Sequence, residues 1–305
     1  MPDASEVTCD DPGVRQWVAD WLASWRIAPP GRLSLRISVS DVAVGEADER
    51  EPFRQPLVEI RSGPPHNDLR IRWLAGNAIA VLDPKEPRAD IIIAPAALAD
   101  RERLQQTFLV AVVVFLLRRA GWHHVHGAIA RDRAGREWLL AGDAKAGKST
   151  TAALLATHGW SVGTDDLTFL AAADDAVDAH APHIPIALRE GGAALLAARG
   201  GAPARGGRKQ AFFPEELGGS FASRARPTIL MFPRVEGAVT RIEPLTPGAA
   251  LAELVKWSAW VALEPEFAQL HLDLLAALAR QARAFRLSLG PDLFEGKDLL
   301  MSLVP

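Results

Sequence analysis

Lys148 and Ser149 close the run Gly142-Asp143-Ala144-Lys145-Ala146-Gly147-Lys148-Ser149, which fits the pattern GxxxxGK[ST]. An apolar stretch, Trp138-Leu139-Leu140-Ala141, precedes it, and a helix-forming stretch over 150–158 follows. Strand, glycine-rich loop and helix are the context this chemistry needs. The glycines let backbone N–H groups wrap a polyphosphate, and the helix start adds positive potential. Lys148 can reach the β and γ phosphates, and the Ser149 hydroxyl can ligate Mg2+. The plain alternative is a glycine-rich turn with no ligand. The pattern in its context predicts a nucleoside triphosphate site.

Asp165-Asp166 begins seventeen residues after Lys148. A helix over 148–158 climbs about 16 Å at ~1.5 Å per residue. Gly159 then turns the chain, and a strand over 160–164 descends about 16 Å at ~3.3 Å per residue. The acidic pair returns to the level of the phosphates. One carboxylate there can hold Mg2+, and the other can take the proton of an attacking hydroxyl. An acidic surface turn is the competing reading, and the spacing favours the active site.

His126 enters by a similar argument. Asp132-Arg133-Ala134-Gly135 reads as a hairpin turn, and pairing about it sets residue 126 opposite residue 141, beside the loop's first glycine. An imidazole there can orient the carboxylates or meet a phosphate. His124 shares its strand face, which raises a His-x-His metal pair, but no further ligand is in view. Arg189 ends a strand-like stretch, and contact with phosphate or a solvated strand end are equal readings for it. Arg205, Arg208 and Lys209 belong to a basic glycine-rich loop over 199–209. Such a loop is either a solvated linker or a mobile cover that brings positive charge to the γ-phosphate. Phe212-Phe213-Pro214 directly after it offers an anchor and tips the reading to the cover.

The elements that must position these groups fall into two parts. The chain has 305 residues, 49% apolar and 23% charged, enough for two ordinary domains. Residues 12–26 carry Trp17, Trp21 and Trp25 on one helical face ahead of Pro29-Pro30, and burial against the domain's own sheet is the expected fate of that stripe. Strands are expected at 33–44, 57–61, 69–73, 78–82 and 90–93, and a helix over 98–120 ends at Gly121. Residues 1–120 thus read as a small N-terminal α+β domain, and 121–305 as an α/β phosphate-loop domain. Its later elements are strands near 227–232 and 238–243, helices over 247–262 and 266–283, a strand over 284–289 and a short helix at the C-terminal end. Thr246-Pro247 suits the start of the first of those helices.

A net charge of −3 gives no pull toward nucleic acid or anionic membrane. Phe108–Leu117 is apolar but about half of a membrane span. Cys9 is the single cysteine, and the acidic N-terminus lacks the pattern of a signal peptide. The expectation is a cytoplasmic protein with no membrane and no nucleic-acid partner, and a homo-oligomer is left open.

Together these residues resemble the HPr kinase/phosphorylase superfamily, in particular the HPr-kinase-related kinases of bacteria. The match runs from His126-Gly127 through the loop to Gly159-Trp160-Ser161-Val162-Gly163-Thr164-Asp165-Asp166. It continues in Arg226-Pro227-Thr228-Ile229-Leu230-Met231-Phe232-Pro233-Arg234 and Arg241-Ile242-Glu243-Pro244-Leu245, and spans roughly residues 120–290. The resemblance implies the phosphoenolpyruvate-carboxykinase-like P-loop fold and transfer from ATP with Mg2+ to a serine hydroxyl of a peptide or protein. Gly142, Asp143, Ala144, Lys145, Ala146, Gly147, Lys148, Ser149 and Thr150 are then the nucleotide site, and Ser149, Asp165 and Asp166 the metal set. Asp165, Asp166, His126 and Lys148 are then the catalytic residues, joined by one of Arg205, Arg208 and Lys209 from the basic loop, with Arg208 and Lys209 put forward.

The family's bifunctional members carry Glu-x-Arg-Gly-x-Gly where this chain has Ala187-Leu188-Arg189-Glu190-Gly191-Gly192. Phosphorylase activity and HPr as substrate therefore stay open. Kinases of small peptides, including lasso-peptide precursors, have the closer layout. Two other readings remain: a small-molecule kinase of the same fold, and a silent nucleotide-sensing module. The intact Lys148, Ser149, Asp165 and Asp166 argue against the second. A GTPase is disfavoured because no guanine-reading N/TKxD motif follows the loop.

Overall fold

The computed structural model describes residues 5–41, 52–55, 57–63, 68–197, 209–236 and 239–294. It is a mixed α/β chain that divides into two compact units. One comprises residues 1–123 with 262–268, and the other comprises 124–261 with 269–305.

The strands of the first unit are β1 (Ser5–Cys9), β2 (Leu33–Val39), β3 (Phe53–Arg54), β4 (Val58–Arg61), β5 (Leu69–Trp73), β6 (Ala78–Leu82) and β7 (Arg88–Ile93). They form one sheet in the order β1-β2-β7-β6-β5-β4-β3, parallel from β1 to β7 and antiparallel beyond. Strict alternation drives it: Leu33, Leu35 and Ile37, then Leu69, Ile71 and Trp73, then Ala89, Ile91 and Ile93 are buried. β1 is a strand that the sequence pattern does not signal, because its residues are all half-buried or exposed and show no buried face. It also ran β2 on to residue 44, of which 42–44 lie outside the described residues.

The first helix, Pro12–Ser24, starts on the Asp11 side chain, which accepts from the Val14 N–H at 2.9 Å, with Pro12 at its first position. It ends before the two prolines, where Arg26 takes a left-handed φ of 53°. The tryptophan stripe is corrected in part. Val14, Val18 and Leu22 form the buried row, joined by Trp25, whereas Trp17 and Trp21 are half-buried beside it. Valine and leucine supply the core-facing positions one step round from the tryptophans, so the rings flank the core and only Trp25 enters it.

The expected helix over 98–120 is a 3-10 turn (Pro95–Asp100), a short helical turn (Arg101–Arg103), a π stretch (Leu104–Leu109) and an α-helix (Val110–Arg119). Every residue from Ala111 to Arg118 is buried, which accounts for the apolar run. Gly121, with φ 85°, ends it. None of the described helices is long and apolar enough to cross a membrane. Residues 262–268 join this unit through Glu264, which accepts from Arg119 and is buried at 2% exposure. The guanidinium groups of Arg118 and Arg119 lie 5.5 and 5.4 Å from the Phe267 ring.

The second unit begins its strands with β8 (His123–Val125), whose first residue, His123, belongs to the first unit. There follow β9 (Gly127–Arg131), β10 (Glu137–Ala141), β11 (Ser161–Val162), β12 (Thr168–Ala173), β13 (Ala176–His180), β14 (Ile186–Arg189), β15 (Lys209–Phe212), β16 (Ser220–Phe221), β17 (Arg224–Ala225), β18 (Ile229–Val235), β19 (Arg241–Leu245) and β20 (Arg283–Leu289). The main sheet runs β16-β11-β9-β10-β18-β20-β19, with β10, β18 and β20 parallel. Both its faces are covered. Trp138, Leu140, Ile229 and Met231 pack with the helix Lys148–Thr157 on one side. Leu139, Leu230 and Phe232 pack with the helices Pro247–Lys256 and Pro265–Gln281 on the other. Continuous apolar runs such as Trp138–Ala141 are the signature of strands buried on both faces. The helix expected over 247–262 stops at Lys256, and its Thr246 cap accepts from Ala249 N–H at 3.3 Å.

Candidate functional site

Three neighbouring strands, β11, β9 and β10, deliver the chemistry to one end of the main sheet. β10 runs into the glycine-rich loop. β9 pairs antiparallel with it, Ala141 opposite Gly127, and Gly142 N–H donates to the His126 carbonyl at 3.4 Å. The expected partner of His126 was residue 141, and the register is one residue further on. The turn takes in Arg136 as well, because the Asp132 carboxylate accepts from the Arg136 N–H (2.9 Å), its Nε (2.7 Å) and Trp138 Nε1 (3.3 Å). His126 therefore stands against the loop's first glycine itself.

β11 lies on the other side of β9, antiparallel, with Ser161 opposite Arg131 and Val162 opposite Ala130. Gly163 N–H continues the pairing to Ile129 O at 2.8 Å. Extended by the same register, Asp165 falls beside Gly127 and Asp166 beside His126. Only two residues form β11, fewer than the expected strand over 160–164, yet the acidic pair reaches the loop. Gly159, at φ 74°, makes the turn before it.

The loop's conformation follows from its residues. Lys145 and Gly147 both sit at positive φ, 72° and 98°. A Cβ on Gly147 would run into the Leu289 side chain and approach Val235 Cγ2 to 3.3 Å. Gly147→Ala is expected to strain the loop by about 1–3 kcal/mol, lowering both Tm and affinity for any polyphosphate, read by thermal melting and calorimetry. The Lys148 ammonium is buried and donates to the carbonyls of Gly142 (2.9 Å) and Asp143 (2.8 Å). Burial pulls its pKa down, and Asp166, Asp165 and Asp143 act against that pull.

Asp165 is 2% exposed. Its desolvation, followed by the charge of Asp166, pushes its pKa up to about 7, against a hydrogen bond from the Ser149 hydroxyl. Its Oδ2 has no hydrogen-bond partner. Asp166 is the open member of the pair, its side chain 55% exposed, and its Oδ1 accepts from His126 Nε2 at 2.9 Å. His124 Nε2 lies 3.2 Å from the Asp166 carbonyl oxygen. Burial pushes the His124 pKa down to about 4, so the ring is neutral at pH 7. Both histidines thus serve Asp166. Among the described residues no group of three His, Cys, Asp or Glu side chains is arranged to hold a metal. An oxygen set of Ser149, Asp165 and Asp166 does suit a hard divalent cation such as Mg2+, and an unpartnered buried carboxylate oxygen is what such an ion would satisfy.

A cleft of about 490 Å³ joins these groups. His126, Asp143, Ala144, Lys145, Gly147, Lys148, Ser149, Thr150 and Asp166 line it, and so do Arg189, Gly191 and Gly192. Arg189, undecided by sequence, faces the site. Gly191 and Gly192 also form its wall. A Cβ on Gly192 would lie 2.8 Å from Thr150 Oγ1, a close approach that only glycine permits. Arg205 and Arg208 lie outside the described residues. For Lys209 the backbone alone is described, paired with Arg189 at the start of β15.

Fold and cleft together define a mixed α/β protein in which a glycine-rich loop, a buried lysine and Asp166 line one cavity, with Asp165 buried next to them. No protein-family model matches the chain, and no curated protein does.

Proposed function

We propose that this chain is an ATP-dependent kinase that transfers the γ-phosphate to a serine hydroxyl of a peptide or protein, with a P-loop kinase domain of the HPr-kinase type. The observation that carries this reading is the division of labour within the aspartate pair: Asp165 is buried against Ser149, and Asp166 is open and hydrogen-bonded to His126. A nucleotide sensor has no need of an exposed, oriented carboxylate at the end of a phosphate cradle.

The loop amides and Lys148 hold the phosphates, and the lysine ammonium offsets charge on the β–γ bridging oxygen. Ser149 and Asp165, with Asp166 beside them, would hold Mg2+, which would supply positive charge to neutralise the phosphate oxygens. His126 orients the Asp166 carboxylate, which accepts the proton of the incoming serine. The serine oxygen bonds to the γ-phosphorus as the bond to the bridging oxygen breaks and ADP leaves. Arg189 is placed to meet phosphate charge, and Arg208 or Lys209 joins it in the same role.

The test is incubation with γ-labelled ATP, Mg2+ and any small peptides found encoded beside the gene, together with serine-containing peptide libraries, followed by mass spectrometry. Label on a serine is the expected result. Slow ATP hydrolysis with no labelled acceptor would turn the reading to a nucleotide sensor, and label on a small alcohol to a small-molecule kinase.

A further inference from the structure

We infer that His124 is a positioning residue that fixes the main chain of Asp166 so that its carboxylate points into the cleft. The inference rests on the role of Asp166 as proton acceptor. His124 and His126 stand two apart and reach the same aspartate by different atoms. His126 Nε2 lies 2.9 Å from the carboxylate, and His124 Nε2 lies 3.2 Å from the main-chain carbonyl. A carbonyl oxygen only accepts, so His124 Nε2 carries the hydrogen.

One bond holds the peptide plane after Asp166, and the other holds the side chain. Together they tie both the backbone and the side chain of this one residue to the strand that carries the two histidines. The donor itself is clamped. The Phe169 ring meets the His124 ring edge-on at 5.9 Å between centroids, and Trp260 lies over it at 5.2 Å with planes inclined by 31°. A histidine held only for packing would not need its nitrogen aimed at an active-site carbonyl. Misplacement of a reacting group by about 1 Å costs on the order of 100-fold in rate, so this hold has a kinetic consequence.

Two variants separate positioning from packing. His124→Phe keeps a ring between Phe169 and Trp260 and removes the donor. His124→Gln places an amide N–H near the position of Nε2. The expected result for His124→Phe is a fall in kcat of roughly 10- to 100-fold, with KM for ATP and Tm near wild type. His124→Gln is expected to recover most of that loss. Independent of turnover, 15N NMR of the wild type should show a slowly exchanging Nε2–H on His124, and the Asp166 carbonyl signal should shift in His124→Phe. Wild-type kcat in His124→Phe, no recovery by Gln at equal Tm, or an Nε2 without hydrogen would each overturn the inference. A wild type that labels no acceptor yet shows the Nε2–H bond would overturn the proposed function and leave the hold on Asp166 standing.

Discussion

Asp166→Asn is expected to lower phosphate transfer by roughly 10³- to 10⁴-fold, the upper range of general-base catalysis, with ATP affinity changed little. The amide preserves the shape and can still accept from His126 Nε2, 2.9 Å away in the wild type, but it cannot take a proton. Single-turnover transfer and ATP calorimetry read the two quantities separately, and transfer at the wild-type rate would remove Asp166 from the mechanism.

Asp165→Asn is expected to be as inactive, and it has a second signature in stability. With its pKa pushed up to about 7 by burial, Asp165 binds its proton more tightly folded than unfolded. The folded state therefore holds more protons between the ordinary carboxylate range and pH 7, and stability falls as pH rises through that window. Asparagine lacks this penalty. The variant should match wild type near pH 4 and melt roughly 3–6 °C higher at pH 8, since 1 kcal/mol moves Tm by a few degrees in domains of this size. Melting curves at the two pH values check it, and a variant less stable at pH 8 would contradict the buried-charge account. The same titration predicts that Mg2+ binds more tightly as pH rises through 7, since the carboxylate must lose its proton to hold the ion.

Lys148→Ala is expected to weaken ATP binding by about 100-fold and to abolish turnover. A charge-assisted hydrogen bond contributes about 1.5–3 kcal/mol. The lysine also ties the loop together through the carbonyls of Gly142 and Asp143, so its removal leaves the loop less ordered as well. Lys148→Met keeps most of the buried stem, which separates loss of charge from loss of packing. Lys148→Arg should not rescue, because the planar guanidinium does not fit a site 4% exposed. Calorimetry with ATP reads the affinities, and wild-type affinity in Lys148→Met would show that the ammonium does not meet the phosphates.

What neighbouring residues specify is legible in the chain alone. The glycine-rich loop is read directly because strand, turn and helix start lie within one short stretch, and its glycines admit the required backbone. The alternation in β2, β5 and β7 is likewise local and fixes which side chains enter the core. The distance from Lys148 to Asp165 needs only the rise of a helix and of a strand. Features that depend on distant partners emerge only in the folded chain. The Asp132 side chain lengthened a turn and moved His126 one residue along, because register depends on which groups a turn residue binds. β1 shows no buried alternation and is a strand only because β2 offers a parallel partner. Glu264 is claimed by the first unit because two arginines far back in the chain require a carboxylate. His124 carries no sequence mark that separates it from a strand-end histidine. Its role follows from the fold, which brings the Asp166 carbonyl, forty-two residues away, to its Nε2.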